Sequence, residues 1–193
     1  MNALPLSFTN LNGISEKTLA IHHDKLYAGY VAKTNEIQDK LGKLTTEQLA
    51  GANQSFSDLR ALKDGEIFAT NGVYLHEWYF DTLGGDGKPS GTIVDALATQ
   101  FGSLEAFQTL FTACGMSARG WVVLCWDTHE QALRIYNADA HNQGGVWGCV
   151  PILVLDVYEH AYFMDAGSDR KAYITAWWQN LDWTKIEQRF IKK

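Results

Sequence analysis

Helical periodicity in the first half, a glycine-rich break near the middle and strand-like runs beyond it predict an α+β fold. The expected architecture is an N-terminal helical hairpin domain over residues 1–83, a linker over 84–91 and a C-terminal domain over 92–193. The second domain should carry a three-stranded antiparallel sheet flanked by helices. The break itself is Gly84-Gly85-Asp86-Gly87-Lys88-Pro89-Ser90-Gly91, the clearest punctuation in the chain.

Ser15 is a suitable N-cap for a helix starting near Glu16. Leu19, His22, Leu26 and Tyr30 then follow at i, i+3, i+7 and i+11, with Ile37 further on, giving one helical face that Gly42 should terminate. Thr45 or Thr46 begins a second helical region, which Gly51, Asp64 and Gly65 are expected to interrupt. Periodicity resumes over 67–83, with Val73, His76, Tyr79 and Phe80 on one stripe. Residues 92–100 and 103–117 read as helices. After Gly120 the pattern changes to strands over 121–126 and 132–137, joined by a turn at Asp127-Thr128-His129-Glu130. The apolar run 150–157 reads as the third strand, expected at the centre of the sheet. The aromatic-rich stretch 168–190 reads as helical.

Composition narrows the function. With 193 residues, 46% hydrophobic and 20% charged, the chain can bury a real core. A formal charge of −6 disfavours nucleic acid as a partner, and no segment has the apolar length of a membrane span. The N-terminus lacks the basic start and apolar stretch of a signal peptide. Three cysteines, Cys114, Cys125 and Cys149, without a CxxC pair suit a reducing cytoplasm better than a disulfide scaffold or a thiolate zinc site.

The strand 150–157 delivers Asp156 to its end, and His160 follows four residues later. His22 and His76 lie on the apolar stripes of two separate helices, which facing helices can bring together. His23 falls about 100° round the helix from His22 and reads as solvent-facing or as support behind the ligands. His129 sits in the hairpin turn and reads as exposed. Three imidazoles and one carboxylate suit iron, manganese or zinc better than magnesium or calcium. With one carboxylate and one solvent-derived ligand, such a site can gain an electron and a proton together without changing its net charge. That suits one-electron redox chemistry in a dry interior.

These residues, in this order, resemble the iron/manganese superoxide dismutase family over nearly the whole chain. Asp156-Val157-Tyr158-Glu159-His160-Ala161-Tyr162 is similar to the family signature, with Tyr158 where tryptophan is usual. His22 with Tyr30 and Val31, and His76 with Trp78, Tyr79 and Phe80, match the two ligand-bearing helices. Ala118-Arg119-Gly120-Trp121 stands where the family usually has a Gly-Ser-Gly-Trp type segment. The resemblance implies disproportionation of superoxide, with protons, by one iron ion per subunit, manganese being possible. It implies His22, His76, Asp156 and His160 as metal ligands and Tyr30 and His141 as catalytic groups. It also implies Trp121, Tyr158 and Glu159 as supporting residues and Arg170 at the substrate funnel. Gly72 stands where an iron-type branch carries glutamine, which would leave His141 as the sole polar partner beside the bound solvent. A homodimer or dimer of dimers is implied, with Glu159 reaching across the interface. Departures are Phe80 for tryptophan, the segment 164–169, and apolar Leu26 and Phe163 where the family commonly pairs a histidine with a tyrosine.

Overall fold

A computed structural model describes residues 1–192. Lys193, the last residue of the second expected domain, lies outside the described residues. The first half is built on two long antiparallel helical segments. Helix α1 (Glu16–Ile21) is capped by Ser15, whose side chain accepts from the Thr18 amide. It runs into a π-helical turn, His22–Tyr27, and then into α2 (Ala28–Gly42). A short α3 (Thr46–Ala50), closed by a capping box between Thr45 and Gln48, precedes the long α4 (Asp58–Asp81).

Two expectations for this half are corrected. A π turn places one more residue in each turn than an α-helix, so the inward face advances by five positions from His22 to Tyr27. Tyr27 therefore takes the buried place expected of Leu26, and Val31, Thr34 and Ile37 continue the inner face. Asp64 and Gly65 do not interrupt α4, which starts nine residues earlier than the expected 67. Gly65 is a contact glycine: a Cβ there would meet the Ile37 side chain at 3.3 Å, where α2 and α4 approach closely. Its helix-weakening effect of roughly 1 kcal/mol is offset by that packing.

The second half contains α5 (Thr92–Phe101), α6 (Leu104–Ser117), the strands β1 (Trp121–Asp127), β2 (Ala132–Ala138) and β3 (Cys149–Asp156), then α7 (Phe163–Ala166), α8 (Arg170–Gln179) and α9 (Trp183–Ile191). A single 3-10 turn, Glu159–Ala161, precedes α7. The sheet is antiparallel with the order β2-β1-β3. The central strand is thus β1, and the expected central run 150–157 lies at an edge. Its apolar character has another cause: α4 and α9 pack against β3, so Ile152, Leu153, Val154 and Leu155 are buried without a second strand neighbour.

The glycine-rich break is sewn onto the C-terminal helices. The amides of Gly84 and Gly85 donate to the Asn180 carbonyl, that of Gly87 donates to Leu181, and the Asp182 amide donates back to Thr82. At Gly85 any Cβ would collide with the Leu181–Asp182 backbone. Glycine is required there by close approach. One contiguous apolar core, including Val73, Tyr79, Leu83, Trp121, Leu155 and Trp177, runs through both halves.

Candidate metal centre

Four side chains converge where the two halves meet. One donor atom each from His22, His76, Asp156 and His160 lies within 4.8 Å of every other. Asp156 ends β3, His22 opens the π turn, His76 sits on the inner stripe of α4 and His160 lies in the 3-10 turn. The Nε2 atoms of His22, His160 and His76 lie 3.0, 3.1 and 3.7 Å from Asp156 Oδ2. The other carboxylate oxygen, Oδ1, accepts from the Tyr158 amide at 2.8 Å, which fixes which oxygen faces the imidazoles. The Tyr173 hydroxyl donates to the Asp156 carbonyl at 2.7 Å and pins the strand end from behind.

Burial and mutual contact push the four donors in different directions. Burial pushes His22 below its ordinary value despite the hydrogen bond to Asp156. Burial, reinforced by the charge of His22, pushes His76 down to about 3. His160 moves the other way: burial pulls it down, but the Asp156 charge and hydrogen bond prevail because its ring is partly exposed. Burial pushes Asp156 up, yet the His160 and His22 interactions hold it well below the usual carboxylate range.

His76 gives the sharpest test of fit. Its Nδ1–H donates to the Gly72 carbonyl at 2.5 Å, so Nε2 carries a bare lone pair. That Nε2 is buried and has no hydrogen-bond partner. A buried unsatisfied acceptor costs about 1–3 kcal/mol. The cost is removed if the atom ligates an ion, and three nitrogen donors with one carboxylate fit iron or manganese.

An aromatic shell surrounds the donors. Phe80 and Tyr79 pack on His22 at centroid distances of 4.9 and 5.2 Å, Trp121 packs edge-on to His76 at 4.9 Å, and Tyr158 stacks on His160 at 5.4 Å. Tyr30 stacks on His76 at 5.5 Å and meets His141 edge-on at 4.7 Å. The Trp121 indole N–H donates to His141 Nδ1 at 3.0 Å. Burial holds His141 down at about 4, so the ring is neutral near pH 7 and its proton resides on Nε2. Burial, then the Asp156 charge, pushes Tyr30 above its ordinary value and keeps the phenol protonated.

Gly72 provides the seat for Tyr30, because a Cβ there would lie 2.8 Å from the Tyr30 ring. Gly72→Ala is expected to displace the Tyr30 ring while metal content stays near the parent's, so that a loss of turnover would report on Tyr30 and not on the ion. Metal analysis beside a steady-state assay checks the separation of the two effects.

Other residues singled out in the sequence are placed as follows. Glu159 is exposed, and among the described residues neither its carboxylate nor His160 Nδ1 has a hydrogen-bond partner. Arg170 is braced: its guanidinium donates to the carbonyls of Ala118 and Gly115 and to the Tyr162 hydroxyl. His23 is half-buried, with Nδ1 beside Asp24 and Nε2 beside the Leu4 carbonyl, so it ties down the N-terminal strap and does not face the four donors. Leu26 is half-buried and Phe163 exposed. Sequence reasoning missed Tyr173, Phe68 and a groove. Phe68 packs on His141 at 4.6 Å, and with Tyr30 it floors an open groove of about 400 Å³ edged by Lys25 and Lys33. Phe68 lies one turn before Gly72 on α4, the only signal that could have found it; Tyr173 carried none.

Comparison with known proteins agrees with this geometry. Residues 1–84 match the family described as iron/manganese superoxide dismutases, alpha-hairpin domain, and residues 89–189 match the C-terminal domain of the same family. The chain is 40% identical over 185 residues to the "Superoxide dismutase [Fe]" of Aquifex pyrophilus, covering 95% of this chain and 87% of that protein. It is 35% identical over 181 residues to the "Superoxide dismutase [Mn] 1" of Halobacterium salinarum, covering 92% and 86%. It is 34% identical over 193 residues to the "Superoxide dismutase [Mn/Fe]" of Aeropyrum pernix, covering 96% and 87%. With both halves matched and four metal-competent side chains meeting in its interior, the chain belongs to the iron/manganese superoxide dismutase family.

Proposed function

We propose that His22, His76, Asp156 and His160 hold one iron or manganese ion at which two superoxide anions and two protons become dioxygen and hydrogen peroxide. The orphaned, buried Nε2 of His76, aimed among three further donors, carries this reading. When bound, the ion supplies the one-electron couple for the overall reaction. Asp156 contributes the negative charge that favours a multivalent cation, and the Gly72 carbonyl fixes the His76 tautomer and ring. The aromatic shell shields His22, His76 and Asp156 from bulk water, while His160 stays partly exposed. Tyr30 and His141 handle protons: Trp121 occupies His141 Nδ1, leaving Nε2–H free to donate, and Tyr30 both lines the groove and stacks on His76.

Iron is the favoured metal, because the relatives at 40% identity carry iron in their names, although manganese proteins follow at 35%. Protein stripped and reloaded with each metal separately, then assayed for superoxide loss and peroxide formation, tests both points. Activity with neither metal would overturn the reading, and activity with manganese alone would reverse the preference.

Two units, 1–83 and 92–193, joined by 84–91, account for the placement of two ligands on each side of the break. A chain of charge −6 repels an anionic substrate at long range, so steering requires a local positive feature. Arg170 and the groove lysines supply the local positive field. Activity should fall as salt rises, and Arg170→Glu should lower it further at low salt; a rate indifferent to ionic strength would exclude steering.

The unpartnered Glu159 and His160 Nδ1 support a homodimer, or a dimer of dimers, in which Glu159 reaches the partner subunit's His160. Glu159→Ala is expected to cost roughly 10–100-fold in metal affinity and to loosen the dimer together. Metal content and sedimentation measured on one sample would refute this if both stay at parent values. Apolar Leu26 and Phe163 would meet at that contact without leaving a polar group stranded. Among the described residues no helix is long and apolar enough to cross a membrane. The three free cysteines favour a cytoplasmic location.

A further inference from the structure

We propose that Cys125 and Cys149 are a thiol pair that hydrogen peroxide oxidises to a reversible disulfide. Antiparallel pairing sets Cys125 opposite Pro151 and Asp127 opposite Cys149, which makes the two cysteines diagonal neighbours on one face of the sheet. Both line a cavity of about 180 Å³ between that face and α4, and His141 forms part of the same wall. Cys114, on α6, is not among the residues lining it.

The two thiols differ in ways that suit successive roles. Cys125 is buried, and it lies within reach of the Arg134 carbonyl at 3.6 Å. Burial, and after it the neighbouring Cys149, push the Cys125 thiol above its ordinary value. Cys149 is half-buried, at the first position of β3 and at the end of the exposed loop 142–148. Peroxide entering from solvent meets Cys149 first, and Cys125 is the resolving thiol behind it.

The chemistry balances with hydrogen peroxide alone, which the proposed dismutation supplies. The Cys149 thiolate attacks one peroxide oxygen, the O–O bond breaks, and hydroxide leaves and is protonated to water. The resulting sulfenic acid is attacked by Cys125; the S–S bond forms, and the hydroxyl departs as a second water with the Cys125 proton. Two thiols thus give up two electrons to one peroxide. Diagonal positions hold Cα atoms roughly 7–8 Å apart, whereas a disulfide needs about 4.4–6.8 Å, so closure draws Cys149 inward. The ladder already shifts register between Leu124 and Cys125, and the exposed loop preceding Cys149 provides the slack.

The test treats metal-loaded protein either with a superoxide source or with added hydrogen peroxide, then alkylates, digests and maps it by mass spectrometry. The expected product is a cross-linked Cys125–Cys149 peptide lighter by two hydrogen atoms and restored by dithiothreitol. Catalase should suppress it in the superoxide arm. Cys125→Ser should leave Cys149 as a sulfenic acid that dimedone traps. Oxidation of Cys114 alone, or an untouched Cys149 in the Cys125→Ser variant, would overturn the pairing. The inference rests on peroxide being this centre's product, and the two arms separate the failures. No cross-link with added peroxide sinks the thiol pair, whereas cross-linking in the superoxide arm that is no faster with metal-loaded than with metal-free protein sinks the supply of peroxide by this centre.

Discussion

Replacing Asp156 with asparagine is expected to abolish metal retention and dismutation together while the protein stays folded. The side chain is fully buried, and its Oδ2 is the common neighbour of three imidazole Nε2 atoms. Asparagine keeps the size but removes the only negative charge in the donor set. Breaking a buried charge pair from one side costs about 3–5 kcal/mol. Expressed as affinity for the ion, that is roughly a 10²- to 10⁴-fold loss. The metal-free variant should unfold somewhat more easily than the metal-free parent, because the Asp156 charge is held in the folded chain by His160, His22 and the Tyr158 amide. Metal content, superoxide assay and thermal unfolding on the same preparations check all three statements. A variant that keeps its metal and its activity would remove Asp156 from the ligand set.

The second large effect is acid lability confined to the metal-free protein. His76 sits at about 3 in the folded chain against 6.5 when unfolded, with burial as the main cause. Below 6.5 the unfolded chain takes up a proton that the folded chain refuses. Stability should then fall by about 1.4 kcal/mol per pH unit, on the order of 5 kcal/mol by pH 3. His22 is also lowered and adds in the same direction. His160 is raised, so its contribution is present at low pH and fades as pH rises through its folded value, opposing the trend. Urea unfolding of metal-free protein between pH 7 and pH 4 measures the slope, and His76→Gln should flatten it. Metal-loaded protein should resist acid until the ion is released, since a ligated nitrogen cannot take the proton.

The four donors were legible in the sequence because each belongs to a local pattern. His22 and His76 interrupt apolar stripes, while Asp156 and His160 stand at the end of an apolar run. Periodicity failed where the backbone departed from regular geometry or where tertiary contact overrode propensity. The π turn at His22–Tyr27 moved the inner face on to Tyr27, and no propensity marks such a turn beforehand. Gly65 looked like a break because its purpose, the contact with Ile37, is visible only when α2 and α4 are side by side. The edge position of β3 was misread because helices can bury a strand as thoroughly as other strands do. Tyr173 was missed because its role is a hydrogen bond to a carbonyl, and backbone acceptors leave no signature in a sequence.

The stitching of residues 82–87 onto residues 180–182 bears on the order of events in synthesis. His22 and His76 emerge from the ribosome early, but the clasp between the two halves uses residues 180–182, made about a hundred residues later and after Asp156 and His160. An ion arriving during translation finds two imidazoles and no carboxylate. Selectivity for the correct metal therefore begins only once residues 156–182 have been made and the clasp has closed.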